Sequence, residues 1–273
     1  MTERRSALEA LQALAATPRL LVALDFDGTL SPLIEEPMKA RMLDAAREAV
    51  DALVVAPGTT VALVSGRTLA DLRVIAEHDD SSPILLAGSH GVEYWFPERG
   101  RVVPENGPDH GDVHAAVLAE AESRLAGLPG IRIEPKGFGM AVHSRGADER
   151  VAADSVRIAD ALVAELAPDW RRRLGHSVVE YSFRDEGKDA AIARLRAELE
   201  PTAVLFAGDD VTDEDAIAAL GPGDVGVRLG AGESAAQVRM RDIPEFAAWL
   251  AELAARRSAA RPEPQPPAVG GRE

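Results

Sequence analysis

Residues 20–30 read Leu20-Leu21-Val22-Ala23-Leu24-Asp25-Phe26-Asp27-Gly28-Thr29-Leu30, an apolar run that ends in two carboxylates one residue apart. Unbroken rather than alternating hydrophobicity suits a strand buried on both faces, as in a parallel sheet covered by helices. Open α/β sheets place their ligands outside the carboxyl ends of the strands, and Asp25 and Asp27 fall at such an end. An Asp-rich turn capping a helix is the plain alternative for either acid alone. It is the poorer account of two acids that end a hydrophobic strand and are followed by Gly28 and Thr29.

Working outward, similar runs rich in Val, Leu and Ala lie at residues 61–64, 84–87 and 203–207. Helical spacing fills the intervals at residues 42–53, 68–76 and 188–199, where Ile192, Leu195 and Leu199 share a face. A short helix at residues 5–16, with Leu8, Leu11 and Leu14 on one side, precedes the first strand. The alternation predicts a doubly wound, Rossmann-like α/β core. Residues 110–184 read differently. Two helices there carry Val113, Val117, Ala121 and Leu125, and Ile158, Leu162 and Leu166, beside segments that alternate apolar and polar: Ile131-Arg132-Ile133, Met140-Ala141-Val142-His143 and Val178-Val179-Glu180-Tyr181-Ser182. Alternation means one wet face, so an inserted smaller α/β domain with a mostly antiparallel sheet is expected. The expected division is a core of 1–109 and 185–256, an insert of 110–184 hinged at 104–111 and 184–187, and a disordered tail over 257–273, which holds four prolines and two glycines.

The composition narrows the function. Thirty Lys and Arg against 45 Asp and Glu give a net charge of −15 over 273 residues, a field that repels nucleic acid and anionic membranes. A phosphate-bearing substrate must then be held by a local concentration of cation. With no Cys in the chain, disulfides, thiolate catalysis and thiolate metal sites are excluded, leaving oxygen or His ligation for a metal. No secretory signal and no run of about 18 apolar residues is present, so a cytoplasmic protein that neither binds nor crosses a membrane is expected.

A second strand end repeats the arrangement: Phe206-Ala207-Gly208-Asp209-Asp210-Val211-Thr212-Asp213-Glu214 has four acids in its last six positions. So many carboxylates repel one another unless a cation neutralises them, and Mg²⁺ is the natural candidate for oxygen ligands. A helix dipole accounts for Glu214 but not for Asp209 and Asp210. Two further signals are weak singly. Ser65-Gly66-Arg67 puts a hydroxyl at a third strand end, and Lys188 opens a helix, where its charge opposes the dipole.

Taken in order, Asp25-Phe26-Asp27-Gly28-Thr29, Ser65, Lys188 and Gly208-Asp209-Asp210 with Asp213 resemble the four motifs of the haloacid-dehalogenase-like phosphatases. Gly88-Ser89-His90-Gly91, Lys136 with His143 and Arg145, Glu180, and Gly208 to Glu214 are similar to the trehalose-6-phosphate phosphatase branch, over about residues 20–250. The resemblance implies a haloacid dehalogenase core with a mobile cap made by the insert. It implies Asp25 as nucleophile, Asp27 as general acid and then base, and Thr29, Ser65, Gly66 and Lys188 around the phosphoryl group. It assigns Mg²⁺ to Asp25, the Asp27 carbonyl and Asp209, with Asp210 and Asp213 outside them or through water. Arg67, His90, Glu134, Lys136, Arg145 and Glu180 would contact the sugar, while Tyr94, Trp95 and Phe96 pack a hairpin.

The implied activity is Mg²⁺-dependent hydrolysis of trehalose 6-phosphate by a monomer, through an aspartyl-phosphate. Two positions depart from the family. His176 stands where relatives carry Lys, and Ser144 replaces an aromatic between His143 and Arg145, which bears on the choice of sugar. A phosphatase of the same branch for another sugar or pseudo-disaccharide phosphate is therefore an alternative, as is a phosphomutase. A non-catalytic sugar-phosphate sensor is a third, against which every expected catalytic position holds a competent side chain. Dehalogenation has no need of an acid at Asp27, and an ion-pumping ATPase would need membrane spans. No fused synthase domain is expected in this length.

Overall fold

The computed structural model describes residues 6–103, 111–175, 177–184 and 186–259. In chain order they form α1 (Ala7–Ala16), β1 (Leu20–Leu24), α2 (Asp44–Val55), β2 (Thr59–Val64), α3 (Leu69–Ile75), β3 (Leu85–Gly88), β4 (Glu93–Phe96) and β5 (Gly100–Val102). Then come α4 (Gly111–Leu125), β6 (Arg132–Lys136), β7 (Gly139–His143), α5 (Glu149–Leu166), β8 (Arg171–Gly175) and β9 (Val178–Ser182). The chain continues through α6 (Lys188–Leu199), β10 (Ala203–Gly208), α7 (Val211–Ala218), β11 (Val225–Leu229), β12 (Val238–Met240) and α8 (Ile243–Ala259).

Among the described residues one sheet has the order β12-β11-β10-β1-β2-β3-β4-β5. It is parallel from β12 to β3 and antiparallel at β4 and β5. All of β1 is buried, and alternate residues serve two cores. Leu20, Val22 and Leu24 pack with α1, α2, α3 and α8, whereas Leu21 and Ala23 pack with α6 and α7. That two-sided burial is why the run lacks alternation. The chain leaves β1 toward β2 on one side and returns as β10 on the other, so β1 sits at the switch point of the sheet, where a crevice opens. Tyr94 and Phe96 pack the β4–β5 hairpin, as expected from sequence.

The second sheet is antiparallel, with the order β6-β7-β9-β8. Met140, Val142, Val179 and Tyr181 line its dry face against Val117 and Ala121 of α4 and Ala159 and Leu162 of α5. The other face carries Glu134, Ala141, Glu180 and Arg173 in one cross-strand row. We take this α/β unit to be the proposed cap. Most of the first expected hinge, residues 104–110, lies outside the described residues, as does residue 185 of the second.

Two expectations need correction. Leu8 is more than half exposed, because α1 turns only Ala10, Leu11 and Leu14 onto α8 and the sheet. The expected tail starts too early: α8 runs through Ala259, and Arg257 is buried within it. The rest of that tail, 260–273, lies outside the described residues. The Arg257 guanidinium donates to Thr59 Oγ1 at 2.7 Å and to the carbonyls of Leu14 (2.7 Å), Thr17 (3.0 Å), Pro57 (2.9 Å) and Gly58 (2.9 Å). It ties the last helix to the first and to the turn before β2. Arg257→Ala removes these five hydrogen bonds and is expected to cost about 3 kcal/mol. Urea unfolding would measure it, and an unchanged midpoint would contradict the clamp.

Candidate active site

Register brings the motifs together. Leu24 pairs with Ala207 on one side and Leu63 on the other, so the carboxyl ends of β1, β10 and β2 are level. The Asp25 N–H donates to the Ala207 carbonyl, and the Ser65 N–H to that of Ala87, both at 2.9 Å. Gly28 adopts φ +85°, and a Cβ there would lie 2.1 Å from Asp209 Oδ2. A Cβ on Gly208 would lie 2.1 Å from Asp213 Cγ. Only glycine lets these acidic loops approach so closely.

Asp25 is buried between two donors. Lys188 Nζ reaches its Oδ1 at 2.5 Å and Thr29 Oγ1 its Oδ2 at 3.1 Å. Lys188 also donates to Asp213 Oδ1 at 2.6 Å. The other oxygen of Asp213 accepts the N–H groups of Asp209 (3.1 Å) and Asp210 (2.9 Å), so this fully buried acid organises the loop after β10. Exposure of Lys188 as a solvated surface residue is thereby excluded; it is 4% exposed.

Asp25, Asp209 and Asp213 offer carboxylate oxygens within 4.8 Å of one another. Burial pushes Asp25 well above its ordinary value, against Lys188, and the charges of Asp213 and Asp209 push the same way. Burial and the Asp213 charge raise Asp209 to about 6. Burial disfavours the Lys188 ammonium, but Asp213 and Asp25 outweigh it and hold the group protonated. One ammonium thus faces two buried carboxylates and a half-buried third. An oxygen donor set short of positive charge fits a hard divalent cation.

Asp27 turns the other way. Its carboxylate receives both Arg67 Nε and Nη2 at 2.6 Å. Ser65 Oγ accepts the Arg67 N–H at 3.1 Å, which orients the hydroxyl. Gly66 makes room for His90, whose Nε2 would lie 2.6 Å from a Cβ at that position. Ser89 and His90 both have positive φ, 50° and 57°, although neither is glycine. The turn is held by Ser89 N–H to the Arg67 carbonyl (2.6 Å), His90 N–H to the Ser65 carbonyl (3.0 Å), and Ser89 Oγ to Glu93 Oε1 (2.9 Å). Two such residues in succession mark strain kept for a purpose, and here they aim the His90 ring at the second sheet.

His90 Nε2 lies 3.0 Å from Glu180 Oε2 of β9. Burial would raise Glu180, but the His90 hydrogen bond and charge, with Lys136 and Arg173, bring it down to about 2. Glu134 is likewise held at about 2, burial being overcome by His143 at 2.6 Å and Lys136 at 2.7 Å. Arg145 reaches the Ile34 carbonyl at 3.5 Å. A depressed acid stabilises the folded state above its unfolded value and loses that contribution as pH falls through the folded one. The stability difference between the parent chain and Glu180→Gln is therefore expected to be full at neutral pH and to fade from about pH 4.5 to about pH 2. Urea titrations across that range test it; a pH-independent difference would refute the assignment.

The structure thus gathers Asp25, Thr29, Ser65, Lys188, Asp209 and Asp213 at one sheet edge, with Asp27, Gly66, Arg67 and His90 beside them. Glu134, Lys136 and Glu180 face that edge from the second sheet. The side chain of Asp210 stands apart from the three-carboxylate cluster and caps α7 through the Val211 N–H. His176 lies outside the described residues. Sequence reasoning missed Arg228, which is buried and donates to the Asp210 carbonyl at 2.7 Å and to Glu214 at 3.1 Å. Glu214 is therefore an ion-pair partner as well as a dipole acid. Glu93 and Arg173 were missed too.

The family model for trehalose-phosphatase matches residues 23–240, which include every motif position described above. The chain belongs to the trehalose-phosphatase family. A trehalose-phosphate phosphatase of Mycobacterium marinum is 34% identical over 234 residues, covering 81% of this chain and 58% of that protein. A Mycobacterium tuberculosis protein named as an uncharacterized glycosyl hydrolase is 36% identical over 277 residues, covering 90% of this chain and 19% of its own length. This family member therefore spans about a fifth of one relative and under three-fifths of the other. Its fold is that of the C-terminal domain of a Candida albicans trehalose-6-phosphate phosphatase, with TM-score 0.78 at 20% identity, covering 93% of this chain and 98% of that one. Among the described residues no helix is long and apolar enough to cross a membrane.

Proposed function

We propose that this chain hydrolyses trehalose 6-phosphate to trehalose and phosphate through an aspartyl-phosphate on Asp25, with Mg²⁺ bound. One observation carries the reading: Asp25 ends the central strand, anchored by Lys188 at 2.5 Å, with a second carboxylate, Asp27, two residues on and facing away from Lys188 toward Arg67. A nucleophile and an acid/base are thus held separately by different cations.

Asp25 attacks phosphorus in line, and the bond from phosphorus to the sugar oxygen breaks. Asp27 gives the departing oxygen a proton, then takes one from the water that releases phosphate. Lys188, Thr29, Ser65 and the Gly66 N–H hold the phosphoryl oxygens in a molecule whose net charge of −15 would otherwise repel them. His90, Glu134, Lys136, Arg145 and Glu180 supply hydrogen-bonding groups for sugar hydroxyls. Asp25, Asp209 and the Asp27 carbonyl would hold Mg²⁺, with Asp213 behind them. When bound, the ion supplies positive charge that neutralises the carboxylates and the phosphoryl group.

The test is phosphate release from trehalose 6-phosphate, glucose 6-phosphate, sucrose 6-phosphate and a pseudo-disaccharide phosphate, each with Mg²⁺ and with excess EDTA. Turnover is expected with trehalose 6-phosphate, and chelation is expected to abolish it. Preference for another sugar would overturn the substrate while keeping the chemistry. Release from none would overturn the phosphatase reading.

A further inference from the structure

We propose that Arg67 is the positioning residue of Asp27, fixing the carboxylate that serves the leaving oxygen, rather than a sugar contact. The inference rests on the acid/base reading of Asp27 above. Arg67 binds both carboxylate oxygens through Nε and Nη2 at 2.6 Å, and the paired side chains are only 17% and 26% exposed. A fork of this kind fixes the plane of a carboxylate as well as its place, which a point charge does not.

The backbone of Arg67 is itself anchored. The Arg67 N–H donates to Ser65 Oγ, and its carbonyl accepts the Ser89 N–H at 2.6 Å. The turn that presents a phosphoryl-binding hydroxyl therefore also sets the base of the Arg67 side chain. Asp27, by contrast, precedes Gly28, which has φ +85°, in a loop with no fork of its own. Without Arg67 its carboxylate is free to rotate, and a displacement of about 1 Å is enough to cost about 10²-fold in rate.

In the transfer step the bond from Asp25 to phosphorus forms and that to the sugar oxygen breaks, while the proton passes from the Asp27 carboxyl to that oxygen. Arg67 moves no proton. It faces the charges of Asp71 and of Glu134 on the second sheet as well as Asp27, so seating of that sheet bears on the same fork.

The experiment compares Arg67→Lys and Arg67→Gln with the parent chain on two substrates. Trehalose 6-phosphate needs a proton on its leaving alkoxide, whereas p-nitrophenyl phosphate expels a stable phenolate. The value of kcat/KM reports the transfer to Asp25 and leaves aside the later water step. The ratio of kcat/KM for the sugar phosphate to that for the aryl phosphate is expected to fall about 10²-fold in both variants. Calorimetric titration of trehalose 6-phosphate into Asp25→Asn, with and without Arg67→Lys, is expected to give affinities within about threefold.

An unchanged ratio with both rates lowered would mean a structural or phosphate-binding role and overturn the proposal. Affinity lost more than about tenfold would mean a sugar contact and also overturn it. A parent chain that hydrolyses glucose 6-phosphate and the aryl phosphate but not trehalose 6-phosphate overturns the substrate alone, and glucose 6-phosphate then takes the place of the disaccharide. A parent chain inactive on both sugar phosphates removes the acid/base role and this inference with it.

Discussion

Asp25→Asn is expected to abolish phosphate release while making the metal-free protein more stable. Removal of an attacking group costs on the order of 10⁴-fold or more when the rest of the site cannot substitute for it. Asn keeps the shape: its Oδ1 still accepts from Lys188 Nζ, and its Nδ2 donates to Thr29 Oγ1, the two groups that hold Asp25 at 2.5 and 3.1 Å. What it removes is one of three carboxylates crowded within 4.8 Å. The sign of the stability change follows from the raised proton affinity of Asp25. A carboxyl whose folded value lies above its unfolded one favours folding below the unfolded value and loses that contribution as pH rises through the folded one. At pH 7 a folded chain that must ionise Asp25 is therefore at a disadvantage, which Asn relieves. Melting curves in EDTA should show the variant several degrees higher. Added Mg²⁺ should raise the parent more than the variant, because the variant has lost a ligand. A lower melting temperature in EDTA, or surviving turnover, would show that Asp25 is neither the strained group nor the nucleophile. Stability given up at a site in this way is the usual mark of function.

What the chain reveals before folding has a physical pattern. β1 is legible because two-sided burial leaves a continuous apolar run, and the acids at its end stand out against that run. Asp209 and Lys188 are legible as anomalies, one a crowd of like charges and the other a cation at the wrong end of a helix. Pairings across the fold are not legible. Arg67 finds Asp27 from 40 positions away and His90 finds Glu180 from 90, and neither separation leaves a local trace. β8 is hidden for another reason: Arg171-Arg172-Arg173 is a charged edge strand, and edges are commonly protected by charge at the expense of strand-like composition. At the other end, proline-rich composition obscured the last turn of α8. Arg257 looks there like tail polarity, and only the carbonyls of Leu14, Thr17, Pro57 and Gly58 make it a core residue.

Lys188→Met carries the second large effect, and in the opposite sense for stability. The methionine fills a similar volume, so the loss is one of charge rather than packing. Without the ammonium, Asp25 and Asp213 face each other and Asp209 with their principal cation gone, and leaving a buried charge unpartnered costs about 3–5 kcal/mol. Turnover is expected to vanish as well, since no other side chain takes the place between Asp25 and Asp213. The deficit should shrink on acidification from pH 7.5 to pH 5, because a proton taken up by the cluster removes a negative charge that the lysine no longer offsets. It should shrink also with divalent cation, because the site without its ammonium binds the ion more tightly than the parent's, by about 1.4 kcal/mol at saturation for each tenfold difference in dissociation constant. Urea midpoints at the two pH values, each with EDTA and with Mg²⁺, separate these outcomes. A deficit indifferent to both pH and metal would mean that Lys188 stabilises by packing, and the electrostatic account of the site would fail. A deficit relieved by acid but not by metal would confine the cluster to an internal ion network. Relief by both is the result expected if the lysine and the cation share the work of holding three carboxylates at one strand end.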